Sequence, residues 1–229
     1  MRVMPHRTLT LVAALSAAAL AFSTSTPASA KIVEVGKTDV APACPATPCL
    51  ALSRTTGYQV KVADERNAFV VPEDGKIVAW SIALGKPTTE QIAFFDKNFG
   101  GTASARLTVL RAGNTLYSRT VTQTPVQKLQ PYLGQVVQFP LGRALNVKKG
   151  YVIALTVPTW APALTPLLTD HSSWRASRPG GKCSDLESQT AQMSLNLVAQ
   201  YRCLYKARLT YSATLVTRPV PNPPEPAGN

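Results

Sequence analysis

Histidine and carboxylates are scarce in this chain. Across 229 residues, two His and 12 Asp+Glu stand against 24 Lys+Arg, a formal net charge of +12 at pH 7. One histidine, His6, falls in an N-terminal leader pattern, so His171 alone is left for imidazole chemistry. A triad could draw on His171 with a distant serine and acid. No Gly-x-Ser-x-Gly elbow occurs, however, and Asp170, Ser172 and Ser173 beside it read as turn residues. The carboxylate pairs Asp64-Glu65 and Glu73-Asp74 also sit in turn contexts, which is weak ground for a two-acid glycosidase. No Asp-x-Asp-x-Asx-Gly loop is present for calcium. The cysteines lack the repeated short spacing of a zinc site. No metal or other cofactor is implied. A basic helix, a zinc module and an RNP-like aromatic strand are all missing, so nucleic acid is set aside as a partner.

Long apolar runs are rare too. Residues 9–22 form one of about 14, short of the roughly 20 needed to span hydrocarbon. Arg2, His6 and Arg7 precede it and Ala28-Ser29-Ala30 follows, the order of a secretory leader with a small-residue cleavage site. Residues 1–30 are therefore expected to be removed, leaving a product that begins near Lys31 and is secreted, extracellular or associated with the cell envelope. A lipid anchor is disfavoured because Cys44 lies well beyond the cleavage site. No second run of spanning length follows, so no transmembrane segment is expected. Arg2 and Arg7 leave with the leader, and 22 Lys+Arg then face all 12 acids, a net of +10. Outside a cell such an excess favours anionic polymers or acidic glycans as partners. The charges are scattered, which equally suits plain solubility.

All four cysteines lie beyond the leader. An even count in an exported chain reads as two disulfides, with three possible connectivities. Local pairing, Cys44 with Cys49 and Cys183 with Cys203, is the expectation. On loop entropy the small ring contributes about 2 kcal/mol and the larger about 3 kcal/mol. Residues 219–229 hold five prolines and no aromatic residue, the composition of an extended tail. Between leader and tail there is no Gly/Ser linker, low-complexity block or repeat, so residues 31–218 read as one domain.

Strand signals fill that domain. Val78, Trp80, Ile82 and Leu84 alternate with Ala79, Ser81 and Ala83, and Leu209, Tyr211, Ala213 and Leu215 alternate with Arg208, Thr210, Ser212 and Thr214. Similar runs at 58–62, 68–71, 105–110, 116–123, 135–141, 151–157 and 195–204 bring the number to nine or ten. Turn residues at 72–75, 112–114 and 147–150 separate them. One helix is expected over 89–97, with Thr88 as N-cap, Gln91 completing a capping box and Gly100-Gly101 closing it. These elements predict an all-β fold, a β-sandwich of jelly-roll or related Greek-key type with one short helix. An immunoglobulin sandwich fits less well, because the cysteines do not bracket a core tryptophan.

Residues 69–80 (FVVPEDGKIVAW), 105–111 (ARLTVLR) and 145–155 (LNVKKGYVIAL) resemble a pattern seen in secreted bacterial β-sandwich domains of unassigned function. The resemblance covers about half of the chain beyond the leader. It implies a fold and no chemistry, since its motifs are core strands and turns, and a sandwich hosts many unrelated functions.

Binding is best sought in residues 158–181, read as a long connection. It carries Trp160, His171, Trp174, Arg175 and Arg178, with Lys182 just beyond. Aromatic faces stack on sugars and arginine forks grip carboxylate or phosphate. The competing reading has both tryptophans covering sheet edges. The phenylalanines of 94–99 read as a helix face packed on the sandwich rather than a lipid anchor. The expected function is thus a secreted, non-catalytic binding or envelope-associated module for an anionic or glycan ligand. The alternatives are a hydrolase using His171 and an extracellular protein that oligomerises through a sheet edge.

Overall fold

Alternation of apolar and polar residues drives most of this chain into antiparallel strands. The computed structural model describes residues 29–37, 50–165, 171–184 and 194–219. Most of the leader, Cys44, Cys49, Asp170 and residues 220–229 of the tail lie outside the described residues. The strands are β1 (Ile32–Val35), β2 (Leu50–Val62), β3 (Glu65–Arg66), β4 (Gly75–Ala83), β5 (Ser104–Ala112), β6 (Tyr117–Gln123) and β7 (Gln127–Lys128). They continue as β8 (Val136–Val147), β9 (Val152–Thr165), β10 (Ser173–Ala176), β11 (Val198–Gln200), β12 (Cys203–Lys206), β13 (Arg208–Leu209) and β14 (Tyr211–Thr217). Among the described residues a single α-helix, α1 (Thr89–Asn98), links β4 to β5.

The fold is all-β and sandwich-like, and one of its two sheets curls into a half-barrel. The smaller sheet has the order β1-β14-β4-β8, and the larger runs β11-β6-β5-β9-β2-β10-β12. Most neighbours are distant in sequence: β14 lies between β1 and β4, and β9 between β5 and β2. That connectivity is of Greek-key character. The two sheets bury one apolar layer between them. Ile77, Trp80, Ile82, Tyr211, Ala213 and Leu215 enter it from the smaller sheet, and Leu107, Val109, Ile153, Leu155 and Val157 from the larger.

Several expectations need correction. The alternation read across residues 78–84 is interrupted at its start: the register of β4 shifts between Ile77 and Ala79 against both neighbours. This bulge leaves Val78 half-buried and puts Ile77 in the core. An extra residue in one strand reverses the side-chain parity beyond it. Residues 68–71 form only an isolated bridge, Val70 with Val152. Residues 195–204 split into β11 and β12.

Residues 158–181, expected as one long connection, are instead largely strand where they are described. β9 runs on to Thr165 through Pro158 and Pro162, and 173–176 form β10 between β2 and β12. Both prolines lack the ladder donor that a central strand uses. They are tolerated where the β2–β9 register slips, between Ser53 and Thr55 and between Leu50 and Leu52. Arg208, read on the polar face of its strand, is buried.

Candidate functional site

Helix α1 brings one face of the site. Thr88 Oγ1 accepts from the Gln91 amide at 3.3 Å and Gln91 Oε1 accepts from the Thr88 amide at 2.9 Å, the reciprocal capping box expected at that spacing. At the other end Gly100 and Gly101 take φ of +88° and +109°, and the Gly101 amide reaches back to the Asp96 carbonyl. Gln91, Phe95 and Phe99 recur every four residues and so share a face. The rings of Phe95 and Phe99 stack at 5.7 Å. Trp160, fully buried in β9, fixes the helix from beneath: its indole Nε1 donates to Asp96 Oδ1 at 2.8 Å and its ring lies 4.9 Å from Phe95. The guanidinium of Arg54 sits 5.6 Å over the Phe99 ring. Arg54 adopts a φ of +44° at the register slip of β2, a left-handed conformation that costs an ordinary residue stability.

The opposite contribution comes from β10 and β12. Trp174 and Tyr205 are direct cross-strand partners, and their rings stack at 4.8 Å. Tyr205 Oη donates to the Cys183 carbonyl at 2.6 Å. Cys183 is joined to Cys203 by a disulfide, with Cα atoms 5.2 Å apart. This staple is the local pairing expected for the second pair, and it holds the segment after β10 against β12. Burial pushes the Tyr205 phenol above its ordinary pKa, while the positive charge of Arg178 pulls it partly back. The phenol therefore stays protonated at neutral pH as a donor.

Together these elements enclose a cleft of about 520 Å³, within the usual range of small-molecule sites. Gln91, Phe95 and Phe99 line it from the helix, and Leu50, Leu52, Ser53 and Thr55 from β2. Ala51, Leu164, Trp174, Tyr205 and Ala207 add to the mostly apolar lining. Two lining residues are cationic, Arg178 and Lys206, and none of the described ones is acidic. Arg178 is buried and Lys206 exposed at the rim. Two other depressions, of about 160 and 320 Å³, are smaller and lack an aromatic cluster.

Comparison with known proteins adds nothing to this geometry. The chain matches no family model, no curated protein and no solved structure.

Of the residues singled out in the sequence, Trp174 and Arg178 meet in the cleft. Trp160 supports it without lining it. Arg175 alternates with Trp174 along β10 and lies on the other face, where its Nη1 donates to the Tyr201 and Arg202 carbonyls at 3.2 and 3.0 Å. Trp174 and Arg175, read as neighbours on a recognition loop, are thus separated by strand alternation. His171 is exposed at a φ of +56°, and its ring bonds to no described serine or acid. Lys182 is exposed and does not line the cleft. Among the described residues no cluster of three or more His, Cys, Asp or Glu converges as a metal site would.

Sequence reading missed Tyr205, Lys206 and the 50–55 stretch of β2. One signal was available: Gly57 inside a run of strand-forming residues, Thr55-Thr56-Gly57-Tyr58-Gln59-Val60, where a glycine marks a close approach. A Cβ built there would meet the Trp174 ring at 2.7 Å, so the glycine lets the indole lie flat on β2. Gly57→Ala should therefore destabilise by about 1–3 kcal/mol as an overpacked site and shift the emission of Trp174. Urea unfolding with tryptophan fluorescence measures both. Wild-type stability with an unchanged spectrum would show that the indole is not seated there.

Proposed function

We propose that this protein is an exported, non-catalytic binding module and that its site is the aromatic cleft between α1 and the β10–β12 edge of the larger sheet. The leader pattern and the Cys183–Cys203 disulfide support an oxidising compartment, outside the cell or in its envelope. Among the described residues no helix is long and apolar enough to cross a membrane. The single observation that carries the reading is the lining: the stacked Trp174–Tyr205 pair with the exposed ammonium of Lys206 at its rim. A concave, partly desolvated site of that kind selects an anion, because charge attraction there is screened less than on open surface. The chain's net positive charge steers anionic partners toward it.

The test compares charged and neutral twins: galacturonate trimer with galactose trimer, and benzoate with benzyl alcohol. Each charged member should bind more tightly than its twin, and the gap should shrink between 0.05 and 0.5 M salt. Lys206→Gln should shrink it as well, while Lys128→Gln, an exposed lysine away from the cleft, should not. Equal losses from both substitutions would reduce the binding to a generally basic surface and overturn the proposal.

A further inference from the structure

We infer that the ligand of this cleft is an anionic amphiphile: a free molecule with a carboxylate or similar head on an extended apolar body. This rests on the anion-binding reading above and adds the chemistry of the ligand's other end. The cleft is chemically two-sided. Its charged side is Lys206, at the end of β12, whose exposed ammonium sits at the rim beside the stacked Trp174–Tyr205 pair. The facing surfaces offer mainly carbon, from Phe95, Phe99, Leu52 and Leu164.

A polyhydroxylated acid fits such a lining poorly. Among the described lining residues Ser53, Thr55 and Gln91 are the only uncharged polar side chains besides the Tyr205 phenol, and that phenol already donates to the Cys183 carbonyl. Each sugar hydroxyl buried against the rings without a partner would weaken binding by about fivefold or more. An apolar body gains affinity from the same surface. The concave shape and the volume of about 520 Å³ suit one monomeric molecule, whereas a flat or convex face would suit a membrane.

The probes are hexanoate, octanoate and decanoate, with decanol and acetate as partial analogues. Binding to the full chain is followed by calorimetry and by the emission of Trp174, the one tryptophan of three that lines the cleft. Affinity should rise about three- to fourfold per added methylene, and decanol should bind roughly tenfold more weakly than decanoate. Ala51→Phe, which fills the cleft from a half-buried lining position, should abolish the dependence on chain length. Lys206→Gln should narrow the gap between decanoate and decanol while leaving the dependence on length.

Acetate or galacturonate binding as tightly as decanoate would overturn the amphiphile and leave the anion site standing. Binding of none of the acids would overturn both readings. Co-sedimentation with phosphatidylglycerol vesicles without binding of monomeric decanoate would place the contact on a lipid surface and overturn the free-ligand proposal.

Discussion

Trp80→Ala should cost about 3 to 5 kcal/mol, the range for removing a fully packed large aromatic from a core. In a domain of this size that lowers the melting temperature by roughly 6 to 20 °C. The side chain is completely buried between the two sheets, with its ring 5.0 Å from that of Phe139, which in turn meets Tyr132 edge-on at 5.5 Å. Deleting it opens a cavity that strands fixed on both sides by β14 and β8 cannot collapse to fill. Trp80→Phe should be far milder, losing less than about 2 kcal/mol. The indole Nε1 of Trp80 is buried without a hydrogen-bond partner, so phenylalanine removes an unsatisfied donor along with the lost contacts. Urea unfolding of the two variants separates these effects. A loss below about 1 kcal/mol for alanine would mean that this face does not carry the inter-sheet core.

Removing the Cys183–Cys203 bridge should cost about 3 kcal/mol on loop entropy, its cysteines being 20 residues apart. The effect extends to the cleft. The bridge fixes the backbone carbonyl that receives the Tyr205 hydroxyl, and Tyr205 is the surface on which Trp174 stacks. The double variant Cys183→Ser, Cys203→Ser is therefore expected to unfold at lower urea and to bind anions more weakly even where it is fully folded. Circular dichroism against urea gives the first quantity, and calorimetry at low denaturant gives the second. An unfolding midpoint that stays put would show the strands to be held without the staple. Unaltered binding in a destabilised variant would show that the cleft does not depend on it.

Both variants draw on features legible from the sequence to different degrees. The core face of β14 follows directly from strict alternation, and Tyr211, Ala213 and Leu215 are all buried. The helix is equally readable, because its capping box and closing glycines are local chemistry within 14 residues. Bulges are not readable in this way. Neither the slip at Val78 nor the slips that accommodate Pro158 and Pro162 have a local residue signature strong enough to outweigh the pattern around them, since they depend on what the partner strand presents. The site was half legible for the same reason. Trp174 and Arg178 stand out as an aromatic and a cation in a stretch of mixed character. Their partners Tyr205 and Phe95 are about 30 and 80 residues away, and strand order, which the sequence does not display, brings them together. Arg175 shows the converse: adjacency in sequence places it on the opposite face once the segment is a strand.

The proposed place of anion binding is the cleft beside Trp174 rather than a diffuse basic surface. It is tested most directly by two-dimensional NMR of the tryptophan indole N–H groups during a decanoate titration. The chain holds three tryptophans. Trp80 lies in the inter-sheet core, Trp160 is tied to Asp96 beneath the helix, and Trp174 lines the cleft. The Trp174 signal, assigned by its loss in Trp174→Phe, should move saturably with a dissociation constant equal to that from calorimetry, while the Trp80 signal stays fixed. Saturable binding by calorimetry that leaves the Trp174 signal where it was would contradict the claim.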